Sequence, residues 1–118
     1  MRADKSQELD GAFHALSDAT RRRMIDRLSH GPASVSELAQ PFDMALPSVV
    51  KHLAVLETGG LVTSQKTGRV RTYRIAPEGI AAVESWLLVR KAPWNAQFDR
   101  LDQYLAAQKP SSRHRRRK

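Results

Sequence analysis

SVSELAQPFDMALPSVVKHLAVLETGGLVTSQKTGRVRTYRI, residues 34–75, is the stretch on which the fold turns. A short helix begins near Ser36 and directs Leu38 and Ala39 inward. Phe42-Asp43-Met44-Ala45 makes a turn. Pro47 suits the first turn of a second helix, where a missing N–H costs nothing. That helix runs to about Thr58 and stops at Gly59-Gly60. Leu61 to Lys66 and Val70 to Ala76 then alternate as paired strands around Thr67-Gly68. A second helix braced on a first is the geometry that sets side chains into the DNA major groove. The hairpin beside it would form a wing that reaches the flanking backbone. The expected fold is mainly α with a β-hairpin wing, a winged helix-turn-helix.

The faces of the second helix follow from its period of about 100° per residue. Leu46, Val49, Leu53 and Leu56 fall on one side and should meet the core. Ser48, Val50, Lys51, Ala54 and Val55 fall on the other, with His52 on the flank. An ordinary surface helix carries several charges outward. This one offers small residues, a hydroxyl and a single Lys, which suits close approach to a groove where a few donors suffice. The candidate DNA contacts here are Ser48, Val50 and Lys51 at base edges and His52 nearer the backbone.

Charge localises the same reading. The chain carries a net +8 at neutral pH. Residues 1–45 hold six Lys/Arg against seven Asp/Glu. Residues 46–76 hold Lys51, Lys66, Arg69, Arg71 and Arg74 against Glu57 alone. Positive charge therefore gathers on the second helix and the hairpin, as neutralising phosphates requires. Lys66, Arg69 and Arg71 flank the hairpin tip and complete the candidate DNA surface.

The run ELAQPFDMALPSVVKHLAVLETGGLV, the basic hairpin ending in TYRI, and the upstream LSDATRRRMIDRLSHGPASVSEL resemble the ArsR-type winged-helix repressors of bacteria. The resemblance covers roughly residues 8–107. It implies a homodimeric transcriptional repressor that binds an inverted repeat in duplex DNA and often regulates its own promoter. Such repressors commonly carry Ser, a variable residue, His and Leu on the DNA helix. Here those positions are Val50, Lys51, His52 and Leu53, so an apolar contact, as to a thymine methyl, stands where a hydroxyl is usual.

The remainder of the chain reads as scaffold and assembly surface. Leu9, Ala12, Phe13 and Leu16 recur at helical spacing. Asp18 is a suitable N-cap for a helix from Ala19 to about His30, whose inner face is Met24, Ile25 and Leu28. Arg21, Arg22 and Arg23 form a basic cluster that reads as a solvated face partnered by Asp18 and Asp26. Pro77-Glu78 opens a further helix, which Pro93 should break or kink before another helix follows. Trp94, Phe98, Leu101, Tyr104 and Leu105 share one stripe of it. A small winged helix closes its core with its own three helices, so this second apolar set needs a partner. In the resembling family the first and last helices pair across a two-fold axis, which implies a dimer interface of Leu9, Phe13, Leu16, Trp94, Phe98, Leu101 and Leu105. The expected organisation is an N-terminal arm (1–7), the winged helix with its dimerisation helices (8–108) and a disordered basic tail (109–118). The tail's KPSSRHRRRK would either track phosphates or only aid solubility.

Composition excludes other chemistry. The chain has no cysteine, which removes disulfides, thiol switching and thiolate ligation of metal. His14, His30, His52 and His114 lack ligand spacing, so a metal-responsive repressor is the weaker alternative and no cofactor or metal is expected. No Ser/His/Asp set, phosphate-cradling loop or carboxylate pair suggests an enzyme. Aromatics are 6% of residues and the hairpin holds only Tyr73, too few for an RNA-stacking platform. No apolar run is long enough to span a membrane and no secretory signal is seen, so a cytoplasmic protein is expected. The sequence leaves the effector unknown.

Overall fold

A computed structural model describes residues 5–108 of the chain. Its elements are α1 (Lys5–Leu16), α2 (Ala19–Leu28), β1 (Ala33–Ser34), α3 (Val35–Ala39), α4 (Leu46–Thr58), β2 (Val62–Thr67), β3 (Val70–Ile75) and α5 (Pro77–Gln108). The chain divides into two compact units, residues 1–84 and 85–118. Among the described residues no helix is long and apolar enough to cross a membrane.

In the first unit, helix starts are set by side-chain caps. The Asp18 carboxylate accepts the Arg21 N–H at 3.0 Å and opens α2. Ser34 and Glu37 form a reciprocal capping box, with Ser34 Oγ accepting from the Glu37 N–H and Glu37 Oε1 from the Ser34 N–H. This starts α3 at Val35, one residue earlier than its apolar pattern alone suggests. The hairpin register pairs Thr67 with Val70, so the turn is Gly68-Arg69, one residue beyond the expected Thr67-Gly68. Gly68 has φ +63° and Arg69 does not have positive φ, the pattern of a II′ turn whose twist matches that of the strands.

A strand that the sequence reading did not include, β1, adds to β3 with Ala33 opposite Tyr73. The sheet order is β1-β3-β2, antiparallel throughout. This ties the entry to α3 to the base of the wing. Met24 and Leu28 from α2, Leu38 from α3, Val49, Leu53 and Leu56 from α4, and Leu61, Val62 and Tyr73 from the sheet form the core with Ala12 and Ala15 of α1. Two backbone approaches hold it tight. A Cβ on Gly59 would lie 2.7 Å from the Gly11 carbonyl oxygen, and one on Gly79 would collide with the Gly60 carbonyl.

Three expectations need correction. Leu46 is 51% exposed rather than core-facing. Helical period fixes the angle of a side chain around the axis but not what lies opposite it, and Phe42 and Met44 of the preceding turn pack on the core instead. Arg21 is buried, not solvated, because it lies three and seven residues before Met24 and Leu28 on the inner face of α2. Pro93 does not end a helix: α5 continues through it to Gln108. A mid-helix proline removes one hydrogen bond and crowds one carbonyl. The flanking Leu, Arg, Lys, Ala and Gln residues are strong helix formers that resume the helix on both sides.

α1 begins at Lys5, inside the stretch read as an arm. The basic tail at 109–118 lies outside the described residues.

Within the second unit, from Ser85 onward, every described side chain is exposed. Trp94 and Phe98 meet edge to face at 4.8 Å between ring centroids, and the Arg90 guanidinium stacks 4.1 Å above the Trp86 ring.

Candidate nucleic-acid interface

The outer face of α4 is open. Ser48, Val50, Lys51 and Ala54 are exposed, while Val49, Leu53 and Leu56 on the opposite side are fully buried. The N-cap is Ala45, which has no side-chain acceptor to give the first turn. Pro47 has no N–H in this turn and the Ser48 N–H is bonded to the Ala45 carbonyl at 2.9 Å, so little of the helix start is left for a cap to satisfy.

His52 differs from its neighbours. Its side chain is 24% exposed, and Nδ1 lies 3.1 Å from Arg21 Nη1. Arg21 is itself held by α1: Nε donates to the Ala15 carbonyl at 2.7 Å and Nη2 to the His14 carbonyl at 3.2 Å. A chain of contacts thus runs from the end of α1 through α2 to the flank of α4. Asp18 adds a carboxylate 3.9 Å from His52 Nδ1. The Arg21 N–H bond holds the Asp18 carboxyl below its ordinary value of 3.8, assisted by the positive charge nearby.

The wing carries its own connection to α4. Arg71 Nη1 on β3 donates to Ser64 Oγ on β2 at 2.8 Å, and Ser64 Oγ donates to Glu57 Oε2 on α4 at 3.0 Å. Lys66 and Arg69 at the tip are exposed. Glu57, the lone acid of this basic region, is thereby engaged by the wing rather than set against an approaching phosphate. At the helix-turn-helix corner, the Arg23 guanidinium lies 4.6 Å over the Phe42 ring and braces the turn before α4.

The structure thus brings Ser48, Val50 and Lys51 onto one open face and puts Lys66, Arg69 and Arg71 on the adjoining hairpin. It gives His52 and Arg71 partners within the chain. Of the residues read as a dimer surface, Leu9, Phe13 and Leu16 are half-buried, and Leu16 packs against the core of the first unit. Trp94, Phe98, Leu101 and Leu105 are 47–59% exposed. Sequence reasoning missed Arg21 and the Glu57–Ser64–Arg71 relay. The first had a signal in its spacing to Met24 and Leu28. The second had none, since it depends on cross-strand register. Among the described residues no cluster of three or more His, Asp and Glu could hold a metal ion.

Comparison with known proteins agrees with this geometry. Residues 16–65 match the model of a helix-turn-helix domain family. The chain is 43% identical over 76 residues to the HTH-type transcriptional regulator Rv2034 of Mycobacterium tuberculosis, spanning 64% of this chain and 71% of that protein. It is 26% identical over 80 residues to the transcriptional repressor SdpR of Bacillus subtilis, spanning 68% and 89%. The crystal structure of the ArsR family transcriptional regulator RHA00566 superposes with a TM-score of 0.72 at 51% identity, covering 80% of this chain and 97% of that one.

Proposed function

This chain belongs to the ArsR family of winged helix-turn-helix transcriptional regulators, and from that premise we propose that it is a homodimeric repressor of an inverted-repeat DNA operator. The observation that carries the reading is the open, sparsely charged outer face of α4 beside a hairpin tipped with Lys66 and Arg69. Small side chains let the helix seat deeply, Lys51 supplies a long donor to base edges, and the wing neutralises phosphates.

One winged helix reads too few base pairs for useful selectivity, so two copies act on one symmetric site. Trp94, Phe98, Leu101 and Leu105 of α5, and Leu9, Phe13 and Leu16 of α1, are the side chains we assign to the partner surface. We assign the protein no enzymatic role and a cytoplasmic location, as a DNA-bound regulator requires.

Selection from a random pool of duplexes with the purified chain tests this. The expected product is an inverted repeat with half-site centres about 10–10.5 bp apart. Recovery of RNA in preference to duplex, or of unordered sequence, would overturn it. Release is assigned to something other than a thiophilic metal. Zinc, cadmium or arsenite at low micromolar levels should leave the complex intact, and an EDTA-reversible stoichiometric loss of binding would show otherwise.

A further inference from the structure

Arg21 is the one buried charged residue found among the described residues, and its contacts fix more than a helix corner. Two of its nitrogens are committed to the carbonyls of Ala15 and His14. A third, Nη1, faces His52 Nδ1 at 3.1 Å. A guanidinium has donors and no acceptor, so in this contact Nδ1 of His52 accepts, the Asp18 carboxylate standing farther from the same nitrogen at 3.9 Å. A ring that accepts at Nδ1 is neutral and carries its proton on Nε2. Nε2 is the far nitrogen of the ring, and none of the hydrogen bonds among the described residues involves it. The side chain is 24% exposed and sits beside the exposed Lys51 on the helix read as the DNA-facing one.

We propose that Arg21 is a positioning residue which locks His52 as the Nε2–H tautomer, making that ring a fixed, neutral N–H donor to a DNA phosphate oxygen. This rests on the reading of α4 as the DNA helix. A free histidine would divide between tautomers and lose ring freedom on binding. Here the buried guanidinium meets both costs in advance, because its own direction is set by two carbonyls of α1. Phosphate fits better than a base edge. His52 stands on the flank of α4, half-buried, while Ser48, Val50 and Lys51 occupy the open face.

The test uses the full chain and a duplex recovered by the random-pool selection. Long-range proton–nitrogen correlation spectra of the free protein should show His52 protonated at Nε2 alone. Arg21→Gln should yield a mixture of the two tautomers if it folds. A wild-type ring protonated at Nδ1, or averaging between forms, overturns the lock without any variant.

Two substitutions then separate the two nitrogens. His52→Asn keeps an acceptor near Nδ1 but loses the distal donor. His52→Gln keeps a distal N–H but loses the inner acceptor. His52→Asn should keep the melting temperature yet bind the duplex about tenfold more weakly, as for one lost hydrogen bond to a charged group. His52→Gln should melt lower and lose less duplex affinity than His52→Asn, because it keeps a distal donor without the lock. Equal or reversed effects overturn the assignment. A loss confined to one base position of the half-site overturns the phosphate contact. If the wild-type chain itself retains no duplex, the DNA reading fails, which the spectra of the free protein distinguish from failure of the lock.

Discussion

The inner stripe of α4 and the aromatic stripe of α5 share the same helical spacing, yet they meet opposite ends. Val49, Leu53 and Leu56 are 0% exposed, whereas Trp94, Phe98, Leu101 and Leu105 remain about half exposed. Periodicity reveals that a face is apolar and says nothing about what covers it. The α4 stripe is covered by α2, α3 and the sheet of its own unit. Among the described residues of its own unit, nothing covers the α5 stripe.

The largest effect should come from the covered stripe. Leu53→Ala removes a fully buried side chain from a closed core and should cost about 2–5 kcal/mol of unfolding free energy. Denaturant titration measures it, and the loss should not depend on protein concentration. Leu101→Ala should instead destabilise in a concentration-dependent manner, because a partner that binds only the folded chain stabilises by mass action. Equal behaviour of the two variants would erase the distinction between the stripes.

Phe98→Asp with Leu101→Asp sharpens it. Charge on the open stripe should leave the first unit folded, give a monomer by light scattering and abolish operator affinity. A wild-type chain that is monomeric at micromolar concentration and still binds a single half-site would remove the need for any cover.

Effects on the DNA-facing surface should be smaller. Lys51→Ala should cost about 1–3 kcal/mol on the selected duplex and relax preference at one position of each half-site. Lys66→Ala and Arg69→Ala should weaken all duplexes alike, each lowering the salt slope by about 1. Arg71→Ala should do the same and also free the Ser64–Glu57 pair from the wing. An unchanged salt dependence in the triple variant would make the hairpin a merely solvated edge.

The smallest effect concerns acid. The Arg21 N–H on Asp18, and the Ser34 N–H and hydroxyl on Glu37, hold these carboxyls below their ordinary 3.8 and 4.5. Folding therefore gains from their ionised forms above those values. The gain disappears as pH falls through the lower folded values. Asp18→Asn and Glu37→Gln should flatten the acid limb of a stability–pH curve by lowering stability at neutral pH, with the acid end little changed.

Most of the first unit was legible because local chemistry and period agree there. Asp18 caps α2 as its position suggests, Gly59-Gly60 ends α4, and Leu38, Val49, Leu53 and Leu56 point inward. What escaped depends on contacts distant in sequence. β1 is two residues long and exists only because β3 lies beside it. The Arg71–Ser64–Glu57 relay requires Gln65 to pair with Thr72 and not with a neighbour. Arg21 was within reach, since its spacing to Met24 places it inward. The charged character of the Arg21-Arg22-Arg23 run concealed that one of the three faces the opposite way from the others.

The glycine contacts at 11–59 and 60–79 bear on how force travels through the first unit. Packed side chains accommodate sliding by changing rotamer, so a push on one helix is partly absorbed before it reaches the next. Main chain against main chain has no such cushion. At Gly59 the nearest obstacle to even a methyl group is the Gly11 carbonyl, and at Gly79 it is the Gly60 carbonyl. The end of α4 is thus clamped between α1 and the first turn of α5 in a joint without play. A side chain at 59 or 79 would wedge this end of α4 away from one of those neighbours.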